Sequence, residues 1–176
     1  MKNPIKILIV DDSAVVRDFL VYILSSEPDM YVVGTAKNGQ EAIKLAELKK
    51  PDIITMDVEM PVMNGLEATR QIMNMRAVPI VMVTASYSKS EVQKTFSALE
   101  AGALAILAKP GGINHPDYKK NRTELVNTVR LMSEVKVVTR RNYKPSSPTE
   151  NHNTRSIIAD ENKTKYKITS IGVSTG

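Results

Sequence analysis

The chain has 176 residues, 42% of them hydrophobic, with 24 basic against 19 acidic side chains and no cysteine, which is room for one well-buried domain plus a tail. The missing cysteine excludes disulfides, thiolate metal sites and cysteine nucleophiles, and no apolar run approaches a membrane span or a signal core, so a soluble cytoplasmic protein is expected. The net charge of +5 sits wholly after residue 135, because residues 1–135 carry sixteen charges of each sign; with no helical reader beside it, it reads as a solvated spacer and not as a nucleic-acid footprint.

Strand-like and helix-like stretches alternate through residues 1–135. Ile7 to Val10 predicts a strand running into Asp11-Asp12, and Val16, Phe19, Leu20 and Ile23 then recur at helical spacing. Tyr31-Val32-Val33 predicts a short second strand, followed by a helix burying Ala42, Ile43 and Ala46. Ile53 to Met56 ends at Asp57 and leads through Pro61 and Gly65 to a helix with Leu66, Thr69, Ile72 and Met73. Ile80 to Val83 ends at Thr84. A capping box of Ser90 and Gln93 precedes a helix whose apolar positions are Val92, Phe96 and Leu99. Leu104 to Ala108 ends at Lys109, Gly111-Gly112 reads as a flexible connection, and the last helix carries Leu125, Val129 and Met132, with Asn121 and Glu124 in its first turn. Most of the nine methionines read as core filler, with Met60, Met63, Met73 and Met75 as a local packing cluster.

Five strands alternating with five helices predict a doubly wound α/β domain with a five-stranded parallel sheet and helices on both faces. The flavodoxin-like order 2-1-3-4-5 follows from right-handed crossovers, and it places strands 1 and 3 side by side at the switch point. The predicted domain covers residues 1–135. Residues 136–165, with Lys144-Pro145-Ser146-Ser147-Pro148 and Asn151-His152-Asn153, offer no apolar face and predict a mobile linker. Ile168, Ile171 and Val173 begin a new strand within 166–176.

In such a sheet the carboxyl ends of the strands line one crevice. Asp11, Asp12, Asp57, Thr84 and Lys109 would therefore meet there. Three carboxylates brought close repel one another, and a divalent cation removes that repulsion. Oxygen donors with no histidine or cysteine favour a hard ion, Mg2+ above others. An ion of this kind also binds phosphate oxygens, so one aspartate can attack a phosphoryl donor. Asp57, alone at a central strand's end, is the expected nucleophile. Asp11 and Asp12 would hold metal, and Thr84 and Lys109 the remaining phosphoryl oxygens.

Val10-Asp11-Asp12-Ser13, Met56-Asp57-Val58-Glu59-Met60-Pro61-Val62-Met63-Asn64-Gly65, Val83-Thr84-Ala85 and Lys109-Pro110 together resemble the receiver domain of two-component response regulators. The resemblance covers roughly residues 4–134. It implies phosphotransfer from a histidine kinase to Asp57, and a metal shell of Asp12, Asp57 and the Glu59 backbone carbonyl, with Asp11 acting through water. It also implies a cis bond between Lys109 and Pro110. Receivers usually carry Tyr or Phe three residues before the lysine, where the ring rotates on phosphorylation; Ile106 stands at that switch position here.

The run from Asp57 to Gly65, the glycines after Lys109-Pro110, the polar linker and Ser170-Ile171-Gly172-Val173-Ser174-Thr175-Gly176 resemble the chemotaxis protein-glutamate methylesterase. In that family a receiver precedes an esterase that removes methyl groups from chemoreceptor glutamates and deamidates receptor glutamines. Ser174 falls on the esterase nucleophile. A serine hydrolase also needs a histidine base and a carboxylate, and the chain's histidines are His115 and His152, in a loop and in the linker. The catalytic machinery is thus incomplete within these residues, and no ester hydrolysis is expected of them. The unphosphorylated receiver of such an enzyme covers its esterase site, which implies an apolar surface near the fourth and fifth helices. A stand-alone receiver that acts by binding partners is the alternative. A DNA-binding regulator is disfavoured, because the last forty residues are too polar and proline-broken for a helix-turn-helix.

Overall fold

The computed structural model describes residues 3–85 and 92–138. Strands β1 (Ile5–Val10), β2 (Met30–Ala36), β3 (Ile53–Met56), β4 (Ile80–Thr84) and β5 (Ala105–Ala108) alternate with helices α1 (Ala14–Ser25), α2 (Gly39–Lys49), α3 (Gly65–Met75), α4 (Val92–Ala101) and α5 (Tyr118–Ser133). Neighbouring strands all pair in parallel, in the order β2-β1-β3-β4-β5. Both the element count and the strand order follow the sequence expectation.

The central strands are continuous apolar runs because both faces of the sheet are covered. Side-chain alternation sends Leu8, Val10, Ile54, Met56, Ile80 and Met82 to one face, where they pack against Ala42 and Ala46 of α2, Ala68 and Ile72 of α3 and Ala98 of α4. Ile7, Ile9, Ile53, Val81, Val83 and Leu107 take the other face, against Leu20, Ile23 and Leu24 of α1 and Leu125, Val126 and Val129 of α5. The first three helices each start on a capping side chain. Ser13, Asn38 and Asn64 accept from the backbone N–H groups of Val16, Glu41 and Glu67.

Five details depart from the expectation. β2 runs over seven residues, where the apolar run suggested three. Its pairing with β1 shifts between Ile7–Val32 and Leu8–Gly34, so Val33 is an unpaired extra residue and the strand continues beyond it. α5 begins at Tyr118, three residues early, because the Tyr118 ring packs on Phe19 at a centroid distance of 5.9 Å. α4 buries Ala98 and Ala101, while Phe96 and Leu99 stand 61% and 48% exposed; small side chains let the helix lie close to the sheet and turn its large ones outward. The Lys109–Pro110 bond is trans. The trans form is favoured by about 0.5–1 kcal/mol even before proline, and Lys109 reaches the strand ends without the cis form. Of the expected methionine cluster, Met60, Met63 and Met73 do pack on the core, but Met75 is exposed.

Arg122 and Arg130 tie α5 to the turn between α1 and β2. Arg122 donates to Glu27 at 2.7 Å, and Arg130 to Asp29 at 2.6 Å and to Glu27 at 3.2 Å. Residues 136–138 have no regular structure. The remainder of the expected linker, the strand over 166–176 with Ser174, and the Ser90 cap lie outside the described residues.

Candidate functional site

Parallel register brings the acids together. Val10 pairs with Met56, and the Asp57 N–H donates to the Val10 carbonyl at 2.8 Å, so Asp11 and Asp57 continue two neighbouring strands side by side. Thr84 pairs with Ala108, and the Lys109 N–H donates to the Thr84 carbonyl at 3.0 Å. Carboxylate oxygens of Asp11, Asp12 and Asp57 lie within 4.8 Å of one another. Asp11, Asp57 and Thr84 are buried, whereas Asp12 opens to solvent.

The Lys109 ammonium stands 2.7 Å from Asp57 Oδ2, to which it donates, and 2.7 Å from Asp11 Oδ2. Asp57 Oδ1 accepts from the Val58 N–H at 2.7 Å, and Asp11 Oδ1 from the Ser13 N–H at 2.9 Å. Asp11 Oδ2 is buried, and the Lys109 ammonium at 2.7 Å is its ion-pair partner. Burial pushes the Asp57 carboxyl above the usual carboxylate range; Lys109 only partly offsets this, and Asp11 adds to it. Burial alone would lower Lys109, but its contacts with Asp11 and Asp57 outweigh it and raise the ammonium above its ordinary value. Lys109 therefore stays charged at neutral pH. Three carboxylates against one ammonium leave an excess of negative charge. This all-oxygen donor set fits a hard divalent cation.

An open cleft beside the cluster is lined by Asp12, Val58, Glu59, Met60, Pro61, Asn64 and Leu66. Its wall is the β3–α3 connection, which doubles back so that the Gly65 N–H donates to the Val58 carbonyl at 2.9 Å. Gly65 packs directly beneath Asp57, and a β-carbon there would overlap the Asp57 carbonyl oxygen. Val62, at the tip of this connection, has φ +69 and is 75% exposed. A β-branched residue rarely adopts that left-handed conformation.

The remaining candidates fall at different distances from this chemistry. Ile106 is half-buried in β5, pairs with Met82 and packs against the α2–α4 side of the core. His115 is exposed and covers Gly111 in the β5–α5 connection, its Nδ1 accepting from the Asp117 N–H at 3.2 Å. Glu59 lines the cleft beside Asp12. Ser174 and His152 lie outside the described residues. Sequence reading passed over Arg17, whose guanidinium donates to the backbone carbonyls of Asp11 and Asp12 at 2.6 and 3.0 Å; the available signal was a basic residue one helical turn beyond the acidic pair. Among the described residues, no helix is long and apolar enough to cross a membrane.

Residues 7–115 match the family described as response regulator receiver domain. The chain is 45% identical over 172 residues to a protein-glutamate methylesterase/protein-glutamine glutaminase of Nitrosospira multiformis, covering 98% of this chain and 48% of that protein. It spans about half the length of the curated relatives it matches in this way. Among solved structures, the response regulator domain of Thermotoga maritima CheB superposes with a TM-score of 0.69 at 38% identity, covering 77% of this chain and 100% of that one. A chain of the CheX-CheY-BeF3-Mg+2 complex from Borrelia burgdorferi superposes with a TM-score of 0.62 at 27% identity, covering 76% of this chain and 92% of that one.

Proposed function

Since the chain belongs to the response regulator receiver domain family, we propose that it is the phosphoacceptor regulatory part of a chemotaxis methylesterase, taking a phosphoryl group on Asp57 from a histidine kinase. The observation that carries this reading is the meeting of Asp11, Asp12, Asp57 and Lys109 at one strand edge, open to solvent on the Asp12 side.

Asp57 is the nucleophile. As one of its oxygens bonds to phosphorus, the donor's P–N bond breaks and its electron pair stays on the departing imidazole. Asp12, Asp57 and the Glu59 carbonyl, with Asp11 through water, would hold Mg2+, which supplies positive charge against the carboxylates and the incoming phosphoryl oxygens. Lys109, shared between Asp11 and Asp57 before transfer, turns to a phosphoryl oxygen afterwards. Thr84 closes the other side. Ile106 has no ring to rotate, so the change of state is carried by Thr84 and Lys109.

In the whole enzyme, an esterase domain with Ser174 as nucleophile removes methyl groups from chemoreceptor glutamates and deamidates receptor glutamines in the cytoplasm. The unphosphorylated receiver covers that domain. The outward-facing Phe96 and Leu99 of α4 support an apolar contact of this kind. Residues 1–135 are assigned to the receiver, 136–165 to the linker and 166–176 to the opening of the esterase.

Acetyl phosphate with Mg2+ tests the central step. The chain gains one phosphoryl group by intact mass and Asp57→Asn gains none; equal labelling of the variant would move the site elsewhere.

A further inference from the structure

Arg17 sits one turn into α1, and its side chain folds back toward the end of β1. A single nitrogen, Nη1, donates to the carbonyl oxygens of Asp11 at 2.6 Å and Asp12 at 3.0 Å. The same turn is closed by the Ser13 N–H on Asp11 Oδ1 at 2.9 Å and by the Arg17 N–H on the Ser13 carbonyl at 3.0 Å. The Asp11 carboxylate is thus fixed through its own oxygens, by Ser13 and by Lys109. Asp12 is different: its side chain is exposed, and the direction in which its Cα–Cβ bond leaves the chain follows from the peptide planes on either side of it. Arg17 holds both of the carbonyls that define those planes.

We propose that Arg17 is a positioning residue for divalent-cation binding, setting the direction in which Asp12 leaves the backbone toward Asp57 by clamping the two peptide carbonyls that flank it. The inference rests on the metal reading of the site. Its sign separates it from the two simpler roles of an arginine near acids. As a bare positive charge, Arg17 opposes a cation, and its removal tightens binding. As packing, it supports the fold, and its removal lowers stability in the absence of metal. As a clamp, its removal weakens cation binding, although a repelling charge has gone.

Mg2+ titration calorimetry on the whole chain, with thermal melting in EDTA, tests this with Arg17→Met, which keeps the stem and loses the donors, and with Arg17→Lys, whose ammonium can still donate to both carbonyls. Arg17→Met is expected to weaken Mg2+ binding about tenfold while its metal-free midpoint moves by no more than about 3 °C. Arg17→Lys recovers most of the loss. Unchanged or tighter binding by Arg17→Met overturns the inference, and so does a weakening that Arg17→Lys fails to restore. Should Arg17→Met not fold, Arg17→Gln carries the same comparison. A wild-type chain that takes up no Mg2+ refutes the metal reading itself; wild-type binding with an indifferent Arg17→Met refutes only the clamp.

Discussion

Lys109 Nζ stands at the same 2.7 Å from Asp57 Oδ2 and from Asp11 Oδ2, so one ammonium answers two buried carboxylates from neighbouring strands. Lys109→Met keeps the bulk of the stem and leaves both acids facing each other. Removing one partner of a buried pair strands the other charge, at a cost of about 3 kcal/mol. Urea unfolding in EDTA at neutral pH should register that loss. Saturating Mg2+ should restore much of it, and Mg2+ affinity should rise because a competing cation is gone. Labelling by acetyl phosphate should nevertheless slow. Undiminished labelling would leave Lys109 a structural role alone.

Asp57 carries a pH signature. Its folded pKa is raised, by burial first, above the ordinary 3.8. A carboxyl of this kind favours the folded state while protonated, and that advantage is lost as pH climbs from the unfolded pKa through the raised folded one. At neutral pH without metal the ionised group therefore opposes folding. Asp57→Asn, neutral at every pH, should melt higher than wild type at neutral pH in EDTA. The gap should shrink as pH falls through the raised folded pKa, where the wild-type group is itself protonated. Mg2+ should raise the wild-type midpoint more than that of the variant. A variant less stable than wild type in EDTA at neutral pH would contradict the sign.

Gly65 has no room for a β-carbon beneath Asp57, since the overlapping atom is a backbone carbonyl oxygen and Asp57 C and Met56 Cγ are only 2.9 and 3.0 Å from the same point. Backbone cannot rotate away as a side-chain tip can. Gly65→Ala should destabilise the chain by about 3 kcal/mol and slow phosphorylation, because the group displaced is the peptide of the proposed nucleophile. A variant with wild-type stability would mean that the β3–α3 connection gives way freely.

Val62 offers the opposite case. Its side chain is 75% exposed and its φ is +69, so it holds a strained backbone without packing in return. Asn tolerates the left-handed region better than a β-branched residue. Val62→Asn should stabilise the chain by about 1 kcal/mol, read from the urea midpoint at unchanged slope. A destabilised variant would show that the Val62 side chain contributes more than its exposure suggests.

The sheet was legible because its central strands are buried on both sides and read as unbroken apolar runs, and β1, β3, β4 and β5 each lead into the polar residue delivered to the crevice. Asp11, Asp57 and Lys109 converge for that reason, and the parallel register does the rest. What stayed hidden depends on contacts without a periodic trace. The extra residue in β2 beside Gly34 lengthens an edge strand that the apolar pattern cuts short. Tyr118 draws the start of α5 forward by packing on Phe19, a partner distant in sequence. Spacing marks Phe96 and Leu99 as a helix face, but it cannot reveal that alanines one step round the helix bring α4 closer to the sheet. The trans bond before Pro110 and the reach of Arg17 are likewise matters of local geometry, decided by which neighbour is near enough to bond.

α5 has sixteen residues and runs back from the strand ends over about 24 Å, delivering Val135–Val138 to a groove shared with Gly102, Ala103 and Leu104, the segment that enters β5. Val135–Val138, the last residues described, therefore stand at the pole opposite the strand ends that carry Asp57 and Lys109, with the whole length of α5 in between.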